Sequence, residues 1–320
     1  MNLLITGGTG FIGTNLVEYL LQRDDDYGIR VLDNLSTGHR DYLDTVLAKL
    51  DAHDRVEFIQ GDMLDRDVVS RAVDGVDGVV HLAADTNVVE SLKRPDANVE
   101  TNALSTLYLL DACRQHGIER FVFASSNAAV GEQAPPINEG KVPAPLSPYG
   151  AGKLSGEALC SAYYGSFDIK AVALRFANAY GPYSAHKPSV VAEFIRRAQG
   201  GEDLVIYGDG GQTRDFIHAS DIAQAIELAL RYDPESDDPN RVFQIATGVE
   251  TSIADLAAQI QQLASRSGYR KPEIVFKGER KGEIRVNYSD ISKARAKLGF
   301  SPAISLDEGL ERTWNDGLDP

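Results

Sequence analysis

Six short apolar runs punctuate the first half of the chain, at positions 2–6, 29–32, 56–60, 78–82, 120–125 and 170–175. Each is too short for a helix and too continuous for a strand with one wet face, so each reads as a strand buried on both faces. Between several of them apolar positions recur at helical spacing, as over 102–115 and 149–164. Strands alternating with helices predict a parallel sheet covered on both sides, with a ligand site at the carboxyl ends of the strands. Beyond about residue 175 the rhythm changes. Loops lengthen at 181–189 and 208–214, and helical patterns at 190–198, 220–229 and 253–263 alternate with short strand-like pieces. The expected fold class is α/β, with a doubly wound parallel sheet in residues 1–175 and a smaller α/β lobe in residues 176–320. The stretch 213–246, which ends in the apolar run 242–246, is expected to return to the main domain. No fixed-period repeat, low-complexity tract or linker interrupts the chain.

The first run collapses into glycines: Asn2-Leu3-Leu4-Ile5-Thr6-Gly7-Gly8-Thr9-Gly10-Phe11-Ile12-Gly13. A helical pattern (Phe11, Ile12, Leu16, Leu20) follows at once. Gly8-x-Gly10-x-x-Gly13 fits the dinucleotide fingerprint, and Gly7-x-x-Gly10-x-x-Gly13 fits a close variant. Such glycines permit a tight turn, let the backbone approach a diphosphate, and let the helix pack on the strand. The helix N-terminus adds free N–H groups and partial positive charge. The second apolar run ends in Asp33, twenty residues past Gly13. A carboxylate there accepts from a ribose hydroxyl and repels a 2′-phosphate, so the expected cofactor is NAD rather than NADP on a Rossmann-type sheet.

Charge changes the picture in one respect. The 320 residues carry 32 Lys and Arg against 47 Asp and Glu, a net charge of −15. That excludes non-specific nucleic-acid binding, which needs a basic footprint. An anionic ligand would then require local cations. No run approaches a membrane span and the chain opens directly on a strand, so the expected location is cytoplasmic. Cys113 and Cys160 lie far apart in apolar helical patterns, where buried free thiols are expected. No Cys/His cluster has metal-ligand spacing, and no metal is expected.

Ser147-Pro148-Tyr149-Gly150-Ala151-Gly152-Lys153 opens a helix, with the proline in its first turn. Tyr149 and Lys153 are four apart and project from one face. A phenol with a pKa of about 10 is a poor base at neutral pH. An ammonium one turn away, together with the positive nicotinamide of an oxidised cofactor, would stabilise the phenolate. Upstream, the strand Arg120-Phe121-Val122-Phe123-Ala124-Ser125-Ser126 ends in two hydroxyls, either of which could bond to a substrate hydroxyl that Tyr149 deprotonates. His81 and His218 sit in or beside apolar segments and read as structural. His186 and Lys187, in the loop 181–189, are expected to be exposed, although that loop could border a sugar site.

The glycine turn, Ser125-Ser126, Tyr149-x-x-x-Lys153, Leu174-Arg175-Phe176-Ala177-Asn178 and Arg214-Asp215-Phe216-Ile217-His218 occur in this order. Together they resemble the extended short-chain dehydrogenase/reductase family, especially its nucleotide-sugar 4-epimerases. The resemblance implies Ser126 as the catalytic hydroxyl, with Ser125 beside it, Tyr149 as base, and Lys153 as the lysine that binds the nicotinamide ribose. It implies Gly7, Gly10, Gly13, Asp33, Asp62, Met63, Ala83 and Asn102 as cofactor positions; Phe11, Ile12 and Asn34 complete that expected set. Asn178, Arg214 and Arg280 would reach the substrate diphosphate, supplying the local cations. Asn287 aligns with the position that gates the group at C2 of the sugar. Dimerisation through two helices of each subunit, 102–115 and 149–164, is also implied.

In family members that eliminate water, Asp and then Glu follow the catalytic hydroxyl, and decarboxylases typically carry Glu at the second position. Asn127 and Ala128 stand there in this chain, and neither side chain exchanges protons at neutral pH. The resemblance therefore implies NAD-dependent C4 epimerisation of a UDP-sugar, with UDP-glucose, UDP-N-acetylglucosamine and UDP-glucuronate all open. The alternatives are another nucleotide-sugar enzyme of the family (a dehydratase, decarboxylase or reductase) and a non-catalytic NAD-binding sensor. Intact Tyr149 and Lys153 count against the sensor.

Overall fold

The computed structural model of the protein describes residues 1–23, 27–233, 240–279 and 284–318. Its strands are β1 (Asn2–Thr6), β2 (Gly28–Asp33), β3 (Val56–Gln60), β4 (Gly78–His81), β5 (Arg120–Ser126), β6 (Lys170–Phe176), β7 (Asn178–Tyr180), β8 (Leu204–Tyr207), β9 (Thr213–Arg214), β10 (Phe216–His218), β11 (Val242–Ile245), β12 (Thr251–Ser252) and β13 (Ile274–Lys277). Its α-helices are α1 (Phe11–Leu21), α2 (Arg40–Leu50), α3 (Arg66–Val73), α4 (Val88–Lys93), α5 (Pro95–Val99), α6 (Ser105–His116), α7 (Pro148–Phe167), α8 (Val190–Gln199), α9 (Ala219–Arg231), α10 (Ile253–Arg266), α11 (Ser292–Leu298) and α12 (Leu306–Asp316). Among the described residues no helix is long and apolar enough to cross a membrane.

Seven strands form one parallel sheet in the order β11-β6-β5-β4-β1-β2-β3. The chain winds outward from β1 through β2 and β3, then returns to the other side of β1 with β4. That reversal opens a crevice at the carboxyl ends of β1 and β4, where a doubly wound sheet binds its ligand. The run at 242–246 comes back to the sheet edge as β11, parallel to β6.

Period-two alternation divides the strand residues between two cores. Leu3 and Ile5 of β1 and Val122 of β5 join Leu16, Leu20, Val46, Ile222 and Phe300 on one face. Leu4, Phe121 and Phe123 join Val69, Leu109, Cys113 and Cys160 on the other. A third core unites Phe194, Ile195, Ile206, Leu256, Ile260 and Trp314, from α8, α10 and α12 packed with β8. The two thiols, Cys113 and Cys160, are free and buried, as their apolar helical settings predict.

Two local expectations need correction. The helix read over 102–115 begins only at Ser105, and Glu100–Leu104 before it forms a π-helical turn. Asn102 lies inside that turn with its side chain bonded to the backbone of Asp85, which holds the helix start open. A π-turn of this kind commonly marks a functional site. The loop read at 208–214 contains β9, whose Thr213 and Arg214 pair antiparallel with Ser252 and Thr251.

Candidate active site

At the end of β1 the chain turns through Gly7, which takes the left-handed φ of +71°. A Cβ there would lie 2.7 Å from the Ala83 nitrogen. A Cβ on Gly13 would collide with the Gly7 carbonyl oxygen, so α1 can pack this closely only as glycine. Gly10 precedes α1 without a side-chain cap, which leaves the first N–H groups of the helix for a ligand. A Cβ on Gly8 would lie 2.6 Å from the Val31 side chain, so Gly7, Gly8 and Gly13 are all closed in.

These glycines, with Phe11 and Ile12, form one wall of a crevice of about 420 Å³. Asp33 and Asn34 after β2, Asp62 and Met63 after β3, and Ala83 after β4 line the rest. The Asp33 carboxylate is buried and pinned: Oδ2 accepts from the Thr9 N–H at 3.1 Å and Oδ1 from the Leu35 N–H at 2.9 Å. Asn34 donates to Asp62 Oδ2 at 3.0 Å, tying the two loops together. Asn102 does not line this crevice. Its Oδ1 accepts from the Asp85 N–H and its Nδ2 donates to the Asp85 carbonyl, both at 2.9 Å, so it shapes the loop after β4 from behind.

A second cavity, of about 1,040 Å³, adjoins the first across Phe11, Ile12 and Leu82. It brings together Ser125, Ser126, Tyr149, Lys153, Asn178 and Arg214 from β5, α7, β7 and β9. Asn287 is not among its lining residues, and Arg280 lies outside the described residues. Arg214 donates from Nη1 to the carbonyls of Thr213 and Ile284 at 2.7 and 2.8 Å, which fixes its stem at the cavity edge.

Helix α7 delivers the Tyr–Lys pair. Ser147 caps it by accepting from the Gly150 N–H, and Pro148 occupies its first turn. Gly150 and Gly156 let the helix approach closely, since a Cβ would strike the Ala128 carbonyl and the Phe123 ring respectively. The Lys153 ammonium donates to the Ala124 carbonyl at 2.7 Å and lies 6.0 Å from the centre of the Tyr149 ring. Burial, then repulsion from Lys187, push Lys153 down to about 7, while Glu157 opposes them. Burial also raises the Tyr149 phenol above its ordinary value, a hydrogen bond with Ser126 pulls it down, and Asp85 raises it.

The two strand-end hydroxyls have different surroundings. Ser125 shares the phase of Phe121 and Phe123, and its Oγ donates to the buried Glu157 carboxylate at 2.5 Å. Ser126 is out of phase with them and reaches Tyr149. Ser125 is thus committed inward and cannot substitute freely for Ser126. Glu157 in turn holds Arg175 in a bidentate pair, Nε to Oε1 at 2.8 Å and Nη2 to Oε2 at 2.6 Å. Neither Glu157 nor Arg175 received a role from the sequence. The one available signal was that Glu157 falls four residues after Lys153, on the face that Tyr149 and Lys153 share.

The histidines resolve differently from one another. His81 is buried between Thr6 and Thr106 hydroxyls at 2.8 and 3.0 Å and pushed down to about 3 by burial. His218 caps α9 by accepting from the Ser220 N–H and is pushed down to about 4, again by burial. Both are structural, as their settings suggested. His186 is half-buried rather than exposed, because its ring packs on Tyr42 and His39. Among the described residues no group of His, Cys, Asp or Glu could hold a metal ion.

The profile of the family described as GDP-mannose 4,6 dehydratase matches residues 4–313. The chain belongs to the extended short-chain dehydrogenase/reductase family. A putative UDP-glucose 4-epimerase of Methanocaldococcus jannaschii is 35% identical over 98% of this chain and 97% of its own. A dTDP-glucose 4,6-dehydratase of Streptomyces niveus is 32% identical over 98% of this chain and 91% of its own. Among solved structures, the UDP-glucuronic acid 4-epimerase of Bacillus cereus in complex with UDP-glucuronic acid and NAD is 32% identical, with a TM-score of 0.86, covering 99% of this chain and 98% of that one. Within the family the chain is a nucleotide-sugar-modifying member, with both epimerases and dehydratases among its relatives.

Proposed function

We propose that the protein is an NAD-dependent 4-epimerase of a UDP-sugar, working through a transient 4-keto sugar. One observation carries the reading. Ser126, Tyr149 and Lys153 converge on the large cavity, while the two positions after Ser126, Asn127 and Ala128, offer it no acid or base. The Asn127 amide donates to Ser289 at 3.1 Å, and the Ala128 backbone packs against Gly150. Elimination of water and loss of carbon dioxide lack a proton-transfer group there.

The glycine cradle and the pinned Asp33 carboxylate fit NAD. The fit rests on Gly7 and Gly13, where any Cβ would intrude, and on an acid that disfavours a 2′-phosphate. When bound, NAD supplies a hydride acceptor that also gives the hydride back. The protein's own part is to move and hold protons. Tyr149 removes the proton of the sugar 4-hydroxyl and Ser126 orients that hydroxyl. Because burial works against the phenolate, Tyr149 needs positive charge near it, and the Lys153 ammonium, 6.0 Å from the ring centre, is placed one helical turn away. Asn178, Arg214 and Arg280 anchor the UDP part. Binding energy far from the reacting carbon then keeps the keto sugar in place while it turns.

The test is to offer UDP-glucose, UDP-N-acetylglucosamine and UDP-glucuronate separately, each carrying deuterium at C4. The expected product is the C4 epimer with the deuterium retained. Wash-out into solvent, a 4-keto-6-deoxy sugar or a pentose would overturn the proposal.

A further inference from the structure

The loop 181–189 is firmly anchored, and its residues 181–184 are buried. Tyr183 adopts a left-handed φ of +62°, which side chains rarely take. Asn15 donates to the Pro182 carbonyl at 3.0 Å, Ser184 closes on the Gly181 carbonyl at 2.6 Å, and the Tyr183 hydroxyl bonds to Glu18 at 3.2 Å. The rings of Tyr183 and His186 lie 5.6 and 6.2 Å from that of Tyr42. These anchors carry the chain to Lys187, which lines both the dinucleotide crevice and the large cavity.

The Lys187 ammonium donates to the Thr86 hydroxyl at 3.0 Å. Among the described residues no carboxylate comes within ion-pair distance of it, although Asp85 and Glu90 line the same space. Its neighbour Lys153 is likewise satisfied by a neutral carbonyl. Burial pushes both amines down, and Lys187 pushes Lys153 further. Two desolvated cations facing one space, neither in ion-pair contact with a carboxylate among the described residues, are costly, and the cost is relieved when an anion comes into contact with them.

We propose that Lys187 binds an anionic oxygen group brought in by a ligand at the seam of the two cavities. The group is a nucleotide diphosphate or a carboxylate on the sugar. This rests on the function proposed above. In the sugar-carboxylate case the substrate is a hexuronate, and Lys187 is its specificity residue.

The experiment compares the full-length wild type with Lys187→Met, Lys187→Gln and Lys187→Arg. NADH binding is followed by its fluorescence, and UDP-glucose and UDP-glucuronate binding to the NAD-loaded protein by calorimetry. Loss of a charge-assisted hydrogen bond should weaken the ligand concerned by about tenfold to a hundredfold in the Met and Gln variants, with Lys187→Arg near wild type. Weakened NADH identifies the cofactor diphosphate. Equal weakening of both UDP-sugars identifies the substrate diphosphate, and weakening of UDP-glucuronate alone identifies a sugar carboxylate. The Met variant should melt at or above the wild-type temperature, and a fall of several degrees in both neutral variants would overturn the proposal by showing a tether to Thr86 instead. Unchanged affinity for all three ligands would overturn it and leave the epimerase reading standing. A wild type that binds neither NADH nor a UDP-sugar would overturn both.

Discussion

Replacing Glu157 by Gln would keep the shape of the side chain and remove its charge. Both partners of the Glu157–Arg175 pair are about as buried as charged side chains become, with 5% and 4% of their side-chain surface exposed. Arg175 makes two bonds to this carboxylate, and its remaining Nη1 has no hydrogen-bond partner. Glu157→Gln therefore leaves a guanidinium buried without a counter-charge and weakens the acceptor of Ser125. Breaking one side of such a pair costs about 3–5 kcal/mol. With a urea dependence of about 3 kcal/mol per molar, the unfolding midpoint should fall by about 1 M or more. Removing both charges, as in Glu157→Leu/Arg175→Met, should cost far less than the two single changes together, since no orphaned ion remains. Urea unfolding followed by circular dichroism measures the wild type, Glu157→Gln, the single variants Glu157→Leu and Arg175→Met, and the double variant. A Glu157→Gln midpoint within about 0.3 M of wild type, or a double variant as unstable as the sum of the singles, would refute the reasoning.

Tyr149→Phe should abolish turnover while NADH and UDP-sugar affinities stay near wild type, and a retained rate above a small fraction would require another base. Asp33→Ala should weaken NADH and narrow the preference over NADPH; equal affinity of the wild type for both cofactors would remove the role given to this carboxylate. Lys153 resists protonation down to about 7 in the fold against 10.5 as its ordinary value, so in this interval the unfolded chain holds the extra proton and the fold is penalised. Lys153→Met should accordingly raise the melting temperature at pH 7 while weakening NADH, and a lowered melting temperature would contradict this. His81 and His218 are held neutral down to about 3 and about 4 against an ordinary 6.5, so stability should decline as pH falls from about 6.5 toward 4. His218→Asn, which can still cap α9, should flatten that decline, and an unchanged slope would count against it.

Features encoded locally were legible before any fold was known. Gly7 to Gly13 declare a turn because only glycine fits where Ala83 and the helix close in. Tyr149 and Lys153 share a face because a helix has 3.6 residues per turn. The strand runs announced a two-sided sheet because both of their faces had to be apolar, and 242–246 carried the same signature into β11 at the sheet edge.

Tertiary structure alone decided what depends on residues distant in sequence. Ser125 and Ser126 are chemically alike and adjacent, and only the packing of α7 on one phase of β5 turns the first to Glu157 and leaves the second near Tyr149. Arg175, eighteen residues beyond Glu157, is a cation of no evident purpose until β6 places it under the helix. Asn102, inside the π-turn, serves the loop after β4 rather than the crevice because its amide is bonded to the Asp85 backbone. Lys187 reads as a solvated charge in an extended loop, and becomes a half-buried one lining both cavities because Asn15, Glu18 and Tyr42 hold that loop. Period and composition report which surfaces must be covered, whereas the field at an ammonium or a carboxylate is set by which distant groups arrive to cover it.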